Sequence, residues 1–318
     1  RAAAAALAIE GHHIGLQSLS RDSLGRLPNP CVPGLRLTAD MATLKERLAQ
    51  DGIAISLPSQ TLLGPSLHAT VSSMLDVRLL FSALVDADYQ DTEAHFEGGM
   101  SGKRYRAPGP RLNSSAALKA VLEFIESTRA GSNASPGVIA VRAALLDACL
   151  KGAEREPGLF TFTAPTGSGK TLAMLAFALK HALKYHLERV VMVVPYLTIT
   201  EQTARVYRNI LAPVFGDEFV LEHHSLAGVG EEQVRQDNEG ETGQASHAER
   251  RRRLLAENWD APIIVTTSVQ MLESIFSNRP AACRKLHRLQ RAVILFDEAQ
   301  TLPAHLAVPT LAALSHLS

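Results

Sequence analysis

"TFTAPTGSGKT", residues 161–171, and "RAVILFDEAQ", residues 291–300, decide the fold between them. The first joins a short apolar run to a glycine loop and then to an amphipathic stretch, "KTLAMLAFALKHALKYH". Gly167 and Gly169 allow a tight turn and a close approach to phosphate oxygens. Lys170 can reach the β- and γ-phosphates, and Thr171 offers a hydroxyl to Mg²⁺. Thr166 and Ser168 complete the loop. A helix starting at Lys170 directs about half a positive charge at whatever the loop holds. A chance glycine turn would lack both the Lys-Thr pair and the strand–loop–helix setting, so the stretch reads as a nucleoside-triphosphate site. The second stretch is a buried strand ending in Asp297 and Glu298. At the carboxyl end of a parallel strand, Asp297 is placed to hold the Mg²⁺ shell and Glu298 to orient and deprotonate an attacking water. An acidic pair at a strand end is often only a helix cap; the phosphate loop argues against that reading here.

Working outward, "LFTFTAP" (159–165), "RVVMVVPY" (189–196), "APIIVTTS" (261–268) and "RAVILFDE" (291–298) are short, β-branched runs separated by helical stretches. This alternation predicts a parallel sheet covered by helices on both faces. The polar run "EEQVRQDNEGETGQASHAERRRR" (231–253) reads as a surface excursion, its arginines as a solvated helix face or as phosphate contacts. Trp259 reads as a packing residue ahead of a strand. Towards the amino end the texture is helical: "RAAAAALAIE" (1–10), "TADMATLKERLAQDG" (38–52, with Thr38 as N-cap and Gly52 as stop) and "SSMLDVRLLFSALVDADYQ" (72–90). The glycine- and proline-containing basic stretch 97–115 reads as a linker.

The 318 residues suit two domains, and 46% hydrophobic against 20% charged residues describes a globular chain with a full core. Lysine plus arginine balance aspartate plus glutamate at 32 each, so any contact with nucleic acid has to be a local groove. Cys31, Cys149 and Cys283 have no metal-binding spacing and suit a reducing cytoplasm. No apolar run reaches the roughly 18–20 residues that span a bilayer, so no membrane partner is expected.

"GHHIGL" (11–16) places His12 beside His13. Adjacent imidazoles are ordinary buried residues or part of a metal site, and the matching carboxylates would be Asp86, Asp88, Asp91 and Glu93 in "LFSALVDADYQDTE" (80–93). Imidazoles with one carboxylate suit Mn²⁺, Fe²⁺, Ni²⁺ or Co²⁺ and the hydrolysis of a phosphodiester. A second pair, His223 and His224 in "LEHHSL", has no carboxylate cluster of that spacing.

The order of the phosphate loop, "VVPYLTITEQ" (193–202), "IIVTTSVQ" (263–270) and Asp-Glu-Ala-Gln resembles the superfamily 2 helicases. That resemblance implies that Pro195, Thr198, Gln202, Thr266, Thr267 and Gln270 line a single-strand track, gripping the sugar-phosphate backbone without reading sequence. With "GHHIGL" and "LFSALVDADYQDTE" in front, the chain resembles the CRISPR-associated helicase-nuclease of type I systems, in which an HD-type metal nuclease is fused to such a helicase. The resemblance implies ATP and Mg²⁺ at the loop and His12, His13 and Asp88 as metal ligands, with Asp86 in reserve. It implies single-stranded DNA and an RNA-guided surveillance complex as partners, in the cytoplasm. The family's earlier histidine and His-Asp doublet, and its second helicase lobe, are expected outside residues 1–318. Residues 91–201 hold no glutamine to assign to adenine recognition, so base selectivity comes from the resemblance alone.

The expected architecture is α plus α/β: the carboxyl part of an all-α HD-type domain at 1–96, a linker and connecting helix at 97–136, and a RecA-like lobe at 137–318. The rivals are a restriction-type translocase with a chance helical prefix and a non-catalytic, nucleotide-gated DNA clamp.

Overall fold

The computed structural model describes residues 8–9, 11–16, 46, 48–50, 52, 71–99, 102–224 and 243–317. Four short strands, β1 (Arg189–Val194), β2 (Val220–His223), β3 (Ile263–Thr267) and β4 (Ala292–Phe296), form one parallel sheet in the order β2-β3-β1-β4. Three of them are the β-branched runs expected from sequence. The register pairs Val194 with Thr267 and Val193 with Phe296. The carboxyl ends of β1, β3 and β4 are therefore level, and the motif residues that follow them share one edge.

Alternate residues of each strand point to opposite faces, and each face has its own core. Val190, Met192, Val194, Ile263 and Val265 pack against α2 (Ser114–Ala130), α4 (Lys170–Tyr185) and α5 (Leu197–Phe215), and α3 (Pro136–Gly152) lies against α4. Val191, Val193 and Ile264 pack against α1 (Val71–Gly98), α6 (Gly243–Asn258), α7 (Ser268–Phe276) and α9 (Ala304–Leu317). Fully burying one such aliphatic or aromatic side chain contributes about 1.5–3 kcal/mol, so these two cores hold the three layers together. Trp259, wholly buried in the second core, is the packing residue its sequence setting suggested.

The structure departs from the sequence reading in three places. "LFTFTAP" forms no strand; Phe160 instead packs edge-on against Phe177 and His181 of α4, which draws the segment onto the helix. Strand β2 was not foreseen. Helix α2, read as a connecting helix outside the lobe, places Ala117 and Val121 in the first core with no exposure. Helix α1 contributes Leu75 to the second core.

Of the other amino-terminal helices, residues 8–9, 11–14, 46 and 48–50 are helical and Gly52 is a turn. The rest of 1–10 and 38–52, Cys31, and the 231–242 part of the polar run lie outside the described residues.

Candidate functional site

The phosphate loop runs straight into α4. Gly167 and Gly169 adopt φ of 78° and 82°, the left-handed region that glycine enters without strain. No atom stands within 4 Å of where a side chain at Gly167 would project, which leaves room for phosphate oxygens. The loop is braced from below: the Ser168 hydroxyl donates to the Pro165 carbonyl at 2.6 Å, and Arg142 of α3 donates to the Gly167 carbonyl at 3.2 Å. Arg142 had no sequence signal, because nothing in α3 marks it as facing the loop.

Asp297 and Glu298 emerge from β4, tied to β1 by the Asp297 amide donating to the Val193 carbonyl at 2.9 Å. The Glu298 amide donates to the Asp297 carboxylate at 3.0 Å. Glu298 takes φ 51° and ψ 47°, a strained conformation for a residue with a side chain; such strain tends to be held at functional turns. This turn brings its carboxylate to 3.6 Å from the Lys170 ammonium. Gln300 donates to the other carboxylate oxygen. Tyr207 of α5, missed from sequence, donates from its hydroxyl to the Thr171 carbonyl at 3.3 Å. Burial, with the Asp297 carboxylate second, pushes the Tyr207 phenol well above its ordinary pKa, so it stays a neutral donor. Lysine, hydroxyl and two carboxylates on one open edge are a donor set that fits a magnesium-bound triphosphate.

The expected nucleic-acid residues divide. Pro195 follows β1, and Thr198 and Gln202, four apart and exposed, share one face of α5. The Thr267 side chain accepts from the Gln270 amide at 3.3 Å and caps α7. Thr266 is fully buried and its hydroxyl donates to the His223 carbonyl at 2.8 Å. It joins β3 to β2, and its hydroxyl is engaged there.

At the amino end, the helical turn at residues 11–14 and helix α1 bring His12, His13 and Asp88 together, with one ligand atom from each inside 4.8 Å. The structure sorts the four acids of α1. Asp91 accepts from Lys103 and Tyr105 at 2.6 Å, Glu93 pairs with Arg106 at 3.3 Å, and Asp86 is buried against Arg284 at 3.0 Å. Asp88 has no ion pair among the described residues. Asp86, the reserve ligand, is thereby committed to Arg284. Two imidazoles and a free carboxylate at this spacing fit a divalent transition ion.

A second group corrects the reading of "LEHHSL": Glu201, Glu222 and His224 also converge within 4.8 Å. Its Glu222 is already satisfied by Arg208 at 2.8 Å and His224 at 3.2 Å, an internal ion-pair chain. The arginines of α6 are similarly engaged, Arg250 with Glu97, Arg251 with Glu218, Arg252 with Asp217 and Arg253 with Glu249.

A family model described as "Type III restriction enzyme, res subunit" matches residues 110–313, well over half of the chain. The chain belongs to this family. The chain is also 30% identical over 165 residues to the CRISPR-associated nuclease/helicase Cas3 of Haloferax volcanii, a match that covers 48% of this chain and spans only 17% of that protein's length. A solved structure, "Crystal structure of T. fusca Cas3-ATP", aligns with 19% identity and a TM-score of 0.47 over 78% of this chain and 28% of that one. The res-subunit match begins ahead of α2, in keeping with that helix's place in the core. Among the described residues no helix is long and apolar enough to cross a membrane.

Proposed function

We propose that these residues form the ATP-binding lobe and part of the metal centre of an ATP-driven DNA helicase with metal-dependent single-stranded DNA nuclease activity. It acts in CRISPR antiviral interference once an RNA-guided complex has opened the target. The observation that carries the motor half is the 3.6 Å approach of Lys170 to Glu298, which joins two distant motifs at one sheet edge.

In this reading, Lys170 and the loop amides hold the β- and γ-phosphates, and Thr171 and Asp297 hold Mg²⁺, which when bound neutralises charge on the transferring phosphoryl group. The incoming phosphate competes with Glu298 for the Lys170 ammonium. Glu298 is then free to accept a proton from the attacking water, while Gln300 keeps it in place. Pro195, Thr198, Gln202, Thr267 and Gln270 border the track for single-stranded DNA. His12, His13 and Asp88 hold the nuclease ion, whose chemistry when bound is Lewis-acid activation of water and phosphodiester.

The test is made on the intact protein. Glu298→Gln and Lys170→Ala should abolish DNA-stimulated ATP hydrolysis, and His12→Ala and Asp88→Ala should abolish Mn²⁺-dependent cleavage of single-stranded DNA while sparing hydrolysis. Wild-type hydrolysis in Glu298→Gln would refute the motor assignment, and wild-type cleavage in Asp88→Ala the nuclease assignment. The family description supports a second reading, a restriction-type DNA motor, which predicts no Mn²⁺ binding at the histidines.

A further inference from the structure

Both halves of the histidine–aspartate cluster are tied to one corner of the ATP-binding lobe, residues 275–284, where α7 ends and the short helix α8 (Pro280–Cys283) begins. On the imidazole side, the Leu16 amide donates to the Asn278 carbonyl at 2.9 Å, three residues beyond His13. Gly15 has φ 95°, and a side chain there would meet that carbonyl at 2.7 Å. Ala8 packs with Phe81, Val85 and Cys283 beneath the same turn.

On the carboxylate side, Arg78 of α1 donates to the Ile275 carbonyl at 2.7 Å and to the Ser277 carbonyl. Two turns on, Asp86 is 2% exposed and accepts from Arg284 Nη2 at 3.0 Å and Nε at 3.2 Å, from Asn258 at 3.1 Å and from Gln90 at 2.7 Å. The Arg284 guanidinium also lies over the Tyr89 ring at 4.4 Å. Arg284 therefore grips the residues at 86 and 89, on either side of Asp88. Residues two apart on a helix point to different sides, so holding Asp86 inward turns Asp88 outward.

We propose that Arg284 is a positioning residue for the metal cluster. Through Asp86 it fixes the α1 turn that presents Asp88, while the Asn278 carbonyl fixes the turn that presents His12 and His13. The ATP-binding lobe is then the template on which the metal centre is assembled, and α7, which starts at the track residue Thr267, ends at that template. This inference rests on the cluster being the metal site proposed above.

The test is Mn²⁺ titration calorimetry on the intact protein, with nucleotide affinity and the emission of the single tryptophan, Trp259, as checks on the lobe. Partners that orient a metal ligand are typically worth 10–100-fold in metal affinity. Arg284→Gln should therefore weaken Mn²⁺ binding about tenfold or more at unchanged nucleotide affinity. Arg284→Lys should recover part of the loss, restoring charge without the two-donor fork. Gly15→Ala, which drives a methyl into the Asn278 carbonyl from the other side, should also weaken Mn²⁺; it carries the test should Arg284→Gln shift Trp259 emission. Absence of Mn²⁺ binding in wild type would remove the metal site itself. Binding that is lost in Asp88→Ala yet unchanged in Arg284→Gln and Gly15→Ala would overturn the positioning role alone.

Discussion

At the carboxyl edge of the sheet, Lys170, Thr171, Asp297 and Glu298 are delivered by level strand ends and by a helix that starts in the loop, so regular secondary structure sets their geometry. At the amino-terminal corner, His12, His13 and Asp88 come from a single helical turn and the middle of a long helix, and tertiary contacts bring them together. An active site on strand ends tolerates change in its surroundings, since the sheet fixes it. One assembled by packing depends on residues that never touch the ligand. The two corners should therefore fail differently.

The largest expected effect is at the edge. Glu298→Gln should lower ATP turnover by about 10²–10⁴-fold, the usual worth of a general base, with Mn²⁺ affinity unchanged in calorimetry. A parallel loss of Mn²⁺ binding would break the separation of the two corners. Next comes the contrast between neighbouring aspartates. Asp86→Ala leaves the buried Arg284 guanidinium without its main counterion and should destabilise the fold by about 3–5 kcal/mol in urea unfolding. Asp88→Ala, at a half-buried carboxylate without an ion pair among the described residues, should stay within about 0.5 kcal/mol. Equal losses would show that Asp88 is structural.

A smaller effect concerns pH. Burial, with Lys285 second, pushes His223 from 6.5 down to about 3. Its folded-state pKa lies below its unfolded one, so the unfolded chain binds the extra proton. Stability from this group is complete above about 6.5 and declines as pH falls towards 3. The melting temperature followed by Trp259 emission should drop through that window, and His223→Phe should flatten the slope. The smallest effect is expected for Arg252→Ala on the exposed face of α6, whose pair with Asp217 at 3.5 Å should be worth less than about 1 kcal/mol. A marked loss of DNA affinity in that variant would make α6 part of the track.

The same contrast explains what could be read from sequence. The phosphate loop is one contiguous stretch whose residue types are each demanded by phosphate chemistry, and β1, β3 and β4 announce themselves by β-branched runs ending in motif residues. Strand β2 is four residues long and ends in His223, too short for a pattern. "LFTFTAP" has strand composition, yet Phe160 finds aromatic partners on α4 and takes the segment out of the ladder. Choosing among Asp86, Asp88, Asp91 and Glu93 needed Arg284, Lys103, Tyr105 and Arg106, which lie elsewhere in the chain. The resemblance pointed to Asp88, and the structure shows why the other three are occupied. Thr266 carries the right residue type for a track, but only the sheet register reveals that its hydroxyl is spent on β2.

The central claim is that one chain joins an ATP site to a metal centre made from His12, His13 and Asp88. Anomalous scattering from crystals of the intact protein soaked in Mn²⁺ and a non-hydrolysable ATP analogue tests it most directly. The account predicts a strong peak between the two imidazoles and the Asp88 carboxylate, separate from any at Thr171 and Asp297. A map with nucleotide at Lys170 but no peak at the histidines would contradict it.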